Sequence, residues 1–494
     1  MEDIEYDYII VGSGPSGLAL AQCLSSIGQK VLIVERESSI GGCHRVKRVD
    51  YNGEKLFTEH GPRIYSSAYR NTMMILDKMN TKFEDVFTPY LFNISTIGNE
   101  TVFTTLTLYE AFILVIYYIP FLLNPQYGVD ISMENFMKSN NFSKETSDII
   151  DRICRITDGA DITRYTLNEF YNLFNQNFFY RLYQPKLPND VGLLKSWNEH
   201  LIENGVAIAL DTEVVNLNYN SLENSIRSIT VKNDDLTYNI SAKNIILAVP
   251  PMNMIKILND NSISLLENEA VKNSFGNFKE IEQWSKDTEY IDYISITFHW
   301  DKKLEIPKKY GFSKTSWGLI YIVLTDYMQF NENSSQTVIS VAVSNGDLKS
   351  DRINKTANEC FDKNELIEEV FDQLRQSIPE LQDYTTAIIS PNTVYSENKW
   401  INLDMAYVSS SINPKTIPFR SKIDNLYTVG THTGKTFYKF TSMESAITNS
   451  IHLAHELHPE LKSKFPLSRG LEANTFIRIF LISIIVLVLY FVLK

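Results

Sequence analysis

The sequence predicts an α/β fold: a Rossmann-type dinucleotide-binding unit, an α+β remainder and a C-terminal transmembrane helix. Three observations carry this. A strand, a glycine-rich turn and a helix open the chain. Strand-like and helical segments alternate through its middle. Residues 475–494 are almost wholly apolar.

The N-terminal unit is the most specific. The run Tyr6-Asp7-Tyr8-Ile9-Ile10-Val11 leads into Gly12-Ser13-Gly14-Pro15-Ser16-Gly17, a helical pattern follows, and a second apolar run over 30–34 ends on Glu35. Gly12 allows the tight turn out of the strand, Gly14 lets backbone approach a pyrophosphate, and Gly17 lets helix and strand pack closely. The helix N-terminus that follows offers unpaired N–H groups and a positive dipole end to phosphates. Glu35 sits where a carboxylate accepts hydrogen bonds from ribose hydroxyls. An acid there disfavours NADP but does not separate NAD from FAD.

The following residues make that distinction by resemblance. Glu35-Arg36-Glu37-Ser38-Ser39-Ile40-Gly41-Gly42 resembles an extended FAD fingerprint, an acid followed by a glycine pair. Glu59-His60-Gly61-Pro62-Arg63-Ile64-Tyr65 resembles the glycine-containing turn beside the isoalloxazine. Near the other end, Asp424-Asn425-Leu426-Tyr427-Thr428-Val429-Gly430, then Thr431-His432-Thr433-Gly434 and Thr441-Ser442-Met443-Glu444-Ser445-Ala446-Ile447, is similar to the C-terminal FAD motif of the flavin amine oxidase superfamily. That superfamily includes amine oxidases, protoporphyrinogen oxidase and phytoene desaturases, with UDP-galactopyranose mutase as a cousin. The resemblance implies non-covalent FAD held by Gly12, Gly14, Pro15, Ser16, Gly17, Glu35, Arg36, Gly42, Gly61, Pro62, Val214, Gly430, Thr431, Ser442, Met443 and Glu444. It places Arg63, Tyr65, Trp400 and Tyr407 near the flavin ring. Two positions depart from the pattern: Thr431 stands where the family usually has an acid, and Cys43 where it often has arginine.

The chain has 494 residues, enough for about two domains. With 44% hydrophobic and 21% charged residues it has a globular composition. Its net charge of −13 opposes broad nucleic-acid binding. Cys23, Cys43, Cys154 and Cys360 form no CxxC and no metal-ligand spacing, so neither a metal site nor a disulfide reductase is expected. Cys23 is expected in the core. No signal peptide is visible before the first strand, and reduced thiols fit a cytosolic catalytic domain.

From Phe476 to Leu493 the tail is apolar apart from Arg478, Ser483 and Tyr490, which meets the minimum for a membrane-spanning helix if Arg478 snorkels to the headgroups. Residues 459–474 read as a linker whose lysines and arginine precede the span, leaving the enzyme on the cytosolic side with Lys494 beyond it. A second apolar run, 111–123, is short and contains Pro120. It is expected as a core helix, the alternative being a lip that dips into the bilayer.

Between the motifs, 191–201 reads as a helix, 206–210 and 212–217 as paired strands, and 226–231 and 244–249 as further strands. Residues 291–300, 319–324 and 336–343 suggest a second sheet, and 363–378 a helix. With the resemblance, this divides the chain into an FAD-binding domain (1–85, 190–255 and 388–460), a substrate domain (86–189 and 256–387), the linker and the anchor at 475–494. A single GxGxxG favours a substrate that reduces the flavin directly. The expected reaction is hydride transfer from an amine or lipophilic small molecule to flavin N5, with reoxidation by O2 or another acceptor. The alternatives are a mutase-like flavoenzyme and a non-catalytic FAD-binding membrane protein.

Overall fold

The computed structural model describes residues 5–91, 96–97, 100–259, 265–288, 290–306, 311–331, 333–412 and 414–493. Lys494 therefore lies outside the described residues. The first sheet is built around Tyr6–Val11. Val31–Val34 runs parallel on one side of it and Leu236–Leu247 parallel on the other. These strands are apolar on both faces because both faces are covered; Ile9, Ile10, Ile245 and Ile246 are fully buried. Leu426–Thr428 joins from the far end of the chain, parallel to Leu236–Leu247.

The segment Ala207–Ala209 adds to the other edge, parallel to Val31–Val34. It does not pair with residues 212–217, which corrects the sequence expectation. Glu213–Asn220 instead forms an antiparallel hairpin with Ser225–Asn233. The physical reason is length: three residues fill the open edge beside Val31–Val34, whereas the longer alternating strand finds its partner across a short turn.

The helix Pro15–Ser25 is buried along its whole length. Its neighbour is Met443–Leu457, more than 400 residues away; Ser450 Oγ donates to the Ser16 carbonyl at 2.8 Å. Small residues at these positions let the two helices approach. The two ends of the chain thus close one unit.

A second, mainly antiparallel sheet centres on Ile294–Trp300, flanked by Thr337–Val343 and Thr386–Ile389, with Leu319–Val323 beyond. The helix Lys363–Ser377 covers one face. Asp362 caps its start, accepting from the Asn364 and Glu365 N–H groups, and Leu366, Val370 and Leu374 pack with Phe298, Trp300, Trp317 and Trp400. The helices Met133–Ser139, Lys144–Asp158 and Leu167–Asn177 form a third apolar cluster that includes Ile320 and Ala342 of this sheet.

Two further expectations need correction. Residues 459–474 are not a free linker: Leu461 and Phe465, four apart, are buried in the first core cluster, and the Ser468 N–H donates to Asn71 Oδ1 at 2.8 Å. The 111–123 run lies in a helix, Leu108–Leu123, that is not a core helix, because Leu108, Phe112, Val115, Ile119 and Leu123 all face outward. The last helix, Ala473–Leu493, is long and apolar enough to cross a membrane, and its apolar window is unburied.

Candidate active site

A cavity of about 680 Å³ runs between the first sheet and the second. Its lining starts at the glycine turn, where Gly12, Gly14, Pro15 and Ser16 border it, and continues past Glu35, Arg36 and Gly42. Gly12 has φ +103°, and a Cβ on it would lie 2.6 Å from the Ala248 carbonyl oxygen. Gly42, at φ +57°, rides over the same turn; a Cβ there would meet Gly14 Cα at 3.0 Å. The turn therefore keeps two stretches of backbone in close approach and leaves room above them. The helix that follows has no side-chain cap at its N-terminus, so its first N–H groups remain available to an anion.

Glu35 is fixed in this turn. Its Oε2 accepts from the Ser13 N–H at 2.9 Å and from Ser13 Oγ at 2.6 Å, and its Oε1 from the Glu37 N–H at 3.0 Å. Arg45, buried at the same place, lies 3.4 Å from Glu35 and 3.2 Å from Asp404. The chain thus supplies an arginine two residues past Cys43, where it balances Glu35, Glu37 and Asp404 rather than pointing to open solvent.

Further along, Pro62, Arg63, Ile64 and Tyr65 line the cavity opposite Val429, Gly430, Thr431 and His432. Arg63 Nη2 donates to the Cys43 carbonyl, and Nη1 lies 4.0 Å from Cys43 Sγ. Tyr65 shares a 3.2 Å hydrogen bond with His44 Nδ1, and burial pushes its phenol up to about 12. Burial also drives His44 well below its ordinary value, with Arg63 adding to the effect, and takes His432 down to about 4. Both imidazoles are thus neutral near pH 7, available to donate or accept a hydrogen bond but carrying no charge. Ser442 caps the helix Met443–Leu457 through the Ser445 N–H, and both Ser442 and Met443 face the cavity. Gly14 and Met443 hence border one and the same space.

The far end is a chamber lined by Phe174, Phe178, Tyr293, Tyr407, Tyr438 and Phe440, with Asp158 as its acid. Asp158 ends the helix Lys144–Asp158, which Gly159 terminates at φ +77°. Its Oδ2 accepts from Ser410 Oγ and its Oδ1 from the Thr441 N–H at 2.5 Å. Burial nonetheless raises its carboxyl to about 6.

Of the residues selected from sequence, Gly12, Gly14, Pro15, Ser16, Glu35, Arg36, Gly42, Pro62, Arg63, Tyr65, Val214, Tyr407, Gly430, Thr431, Ser442 and Met443 border this cavity. Four do not. Gly17 sits beneath the turn, where a Cβ would lie 2.1 Å from the Gly12 carbonyl oxygen. Gly61 faces Ser295 and Tyr293. Trp400 belongs to the core under the second sheet, its Nε1 donating to the Cys360 carbonyl at 2.9 Å. Glu444 points away from the cavity and holds the start of the helix Arg70–Lys78. For Trp400 and Glu444 these positions correct the expected flavin contact: each is occupied by a buried partner of its own. No local sequence pattern marks Asp158, Phe174, Tyr438 and Phe440, because they meet at the chamber from the end of one helix, the last turn of a second and the loop before Met443–Leu457.

Glu59, just before the Gly61 turn, is buried, and its Oε1 has no partner among the described residues. Burial pushes its carboxyl from 4.5 up to about 7. An acid with a raised folded-state value keeps its proton longer when folded, so stability is lost as pH rises through this window, by about 3 kcal/mol in total. The expected result is that the stability of wild type relative to Glu59→Gln falls by that amount between about pH 4.5 and about pH 8. Denaturant melts of both proteins across the range check this.

The residues present suit a flavin dinucleotide: an uncapped helix start for phosphates, a held carboxylate for ribose, and a long cavity entering an aromatic chamber. The sequence comparisons agree. Residues 193–458, more than half of the chain, match the family model for flavin containing amine oxidoreductase, and residues 10–79 match an NAD(P)-binding Rossmann-like domain. The chain belongs to the flavin-containing amine oxidoreductases. Its cofactor is FAD. A putrescine oxidase structure is similar over 92% of this chain and 99% of that one, at 15% identity and a TM-score of 0.62. Cyclohexylamine oxidase from Brevibacterium oxydans matches over 92% and 100%, at 13% identity and a TM-score of 0.59. At such identities these structures establish the fold. UDP-galactopyranose mutase from Mycoplasma genitalium is 36% identical over 80 residues, 16% of this chain and 19% of that protein. The chain thus spans a fifth or less of the length of the curated relatives it first matches.

Proposed function

We propose that this flavin-containing amine oxidoreductase oxidises an amine with a hydrocarbon body, using non-covalent FAD, while the helix Ala473–Leu493 anchors it in a membrane with the catalytic body on the cytosolic side. The observation that carries the substrate reading is the character of the far chamber. It is walled by aromatic rings and holds one carboxylate, Asp158. Apart from Arg63, the cations bordering the cavity lie on the dinucleotide side: Arg36 and Arg45 beside Glu35 and Glu37, and Lys256 paired with Glu213. A sugar-nucleotide substrate needs cations for its pyrophosphate at the chamber end; an ammonium is served by a carboxylate and ring faces.

FAD held by the glycine turn and Glu35 would supply the hydride-accepting chemistry for oxidation of the substrate carbon beside nitrogen, with O2 or another acceptor as the final oxidant. The protein's part is to exclude water and to set the distance. Phe174, Tyr438 and Phe440 give the substrate body a dry wall. Tyr407 borders the cavity, its ring 6.3 Å from that of His432 in an edge-on arrangement. Arg63, held by the Cys43 carbonyl at the cavity wall, would offer fixed positive charge to a flavin ring bound beside it. No cysteine occurs between Thr431 and Ser442, in line with a non-covalent cofactor.

Anaerobic mixing with a long-chain alkylamine and with benzylamine tests the reading. The expected result is bleaching of the flavin band by at least one of them. Bleaching by dithionite alone, followed by turnover of a UDP-sugar, would replace it with the mutase reading. Purified protein that holds no flavin would favour the non-catalytic reading.

A further inference from the structure

The helix Leu108–Leu123 presents an uninterrupted apolar stripe to the outside. Leu108, Phe112, Val115, Ile119 and Leu123 recur at helical spacing and are 93%, 59%, 63%, 53% and 79% exposed. The helix's acid, Glu110, is turned inward and buried, accepting from the Thr107 and Ser143 N–H groups at 2.8 and 2.7 Å. The outer face therefore carries no charge. A continuous apolar face of four turns is not left to water in a stable protein.

What covers it follows from its neighbour. The tail helix begins against the C-terminal end of this helix. Arg478 Nε donates to the Leu122 carbonyl at 2.6 Å, and Tyr118 hydrogen-bonds Asn474. Arg478 is the last charged residue before the apolar stretch of the tail. It belongs at headgroup depth, so Leu122 lies at that depth too. Sixteen residues make a rod of about 24 Å, short of the ~30 Å hydrocarbon core. Pro120 also has no N–H to offer the Ile116 carbonyl, which water can serve at the surface but lipid cannot.

We propose that this helix is a second membrane contact. It lies along the bilayer surface with its outer stripe at the boundary of headgroups and acyl chains, and it brings the mouth of the active-site cavity onto the lipid. Residues 174–180 link the two. Phe174, Asn177, Phe178 and Tyr180 border the cavity, and Phe178 is 73% exposed, at its rim. From the same stretch, Asn175 Oδ1 accepts from the Asn474 N–H at 2.9 Å, and the Phe179 ring sits 4.9 Å from that of Phe476. The segment that holds the tail is the lip of the cavity. Substrates would then enter from the bilayer, which selects amphiphiles that partition there. This rests on the reading of the tail as a membrane anchor.

Nitroxide labels on the full-length, flavin-loaded protein in phosphatidylcholine vesicles test it. The variants are Phe112→Cys, Ile119→Cys and Phe178→Cys, with Ile485→Cys in the tail and Leu222→Cys, 93% exposed on a distant turn, as controls. Power saturation compares access to O2, which concentrates in lipid, with access to a water-soluble nickel complex. The expected result is oxygen-dominated exposure at 112, 119 and 485, an intermediate value at 178, and nickel-dominated exposure at 222. Nickel-dominated exposure at 112 and 119 with 485 in lipid overturns the inference and leaves the anchor standing. Shielding of 112 and 119 from both reagents overturns it in favour of a protein partner. Nickel-dominated exposure at 485 overturns the anchor and the inference together.

Discussion

Replacing Glu444 with alanine is expected to destabilise the folded protein by about 3–5 kcal/mol without changing the absorption spectrum of the flavin it retains. The Glu444 carboxylate accepts four hydrogen bonds, from the Asn71 N–H, Asn71 Nδ2, the Thr72 N–H and Thr72 Oγ1, at 2.8–2.9 Å. The two N–H groups belong to the first turn of Arg70–Lys78, where a helix has no partners of its own. Glu444 is thus a cap supplied from across the core, and its negative charge meets the positive end of that helix. Asn71 Nδ2 keeps Thr448 Oγ1 as an acceptor when Glu444 is removed; the two N–H groups are left buried and unpaired. Chemical denaturation gives the stability, and equilibrium dialysis of FAD gives the affinity. A fall in affinity with unchanged unfolding of the flavin-free protein would return Glu444 to the cofactor site.

Gly17→Ala is expected to weaken FAD binding by about 100-fold or more, equivalent to about 2.7 kcal/mol. The methyl group would sit 2.1 Å from the Gly12 carbonyl oxygen, a backbone atom with no room to retreat. The helix Pro15–Ser25 must then lift off the strand, and its N-terminal N–H groups move with it, away from where phosphates dock. Overpacking of this kind also costs about 1–3 kcal/mol of stability. Gly28→Ala separates crowding from backbone strain. Gly28 has φ +80° but no atom within 4 Å of its added Cβ. That variant should lose about 1 kcal/mol and bind FAD normally. Flavin retained per protein after desalting reads both outcomes.

The contrast between Gly17 and Glu444 marks what the sequence could reveal about the site. Gly12, Gly14, Gly17 and Glu35 act within one strand–turn–helix–strand unit, so their spacing along the chain fixes their spacing in space. Glu444 stands in a motif of the same clarity, yet its side chain leaves the helix on the face turned to Asn71 and Thr72. Trp400 likewise lies upstream of the second motif, but its hairpin places it over Cys360. A motif locates backbone; the direction of each side chain depends on what packs beside it.

The sequence by itself determined the dinucleotide turn, the short parallel strands, the helix after Asp362 and the apolar tail, since each depends on residues a few positions apart and on backbone preferences that act locally. Only the tertiary structure decided that Ala207–Ala209 pairs with Val31–Val34, that residues 459–474 pack down through Leu461 and Phe465, and that the Leu108–Leu123 helix turns an apolar face outward. It also assembled the chamber, where Asp158, Phe174, Tyr407 and Tyr438 meet from four separate segments. Those outcomes are set by which surfaces are left for each segment to cover, and that depends on the whole chain at once.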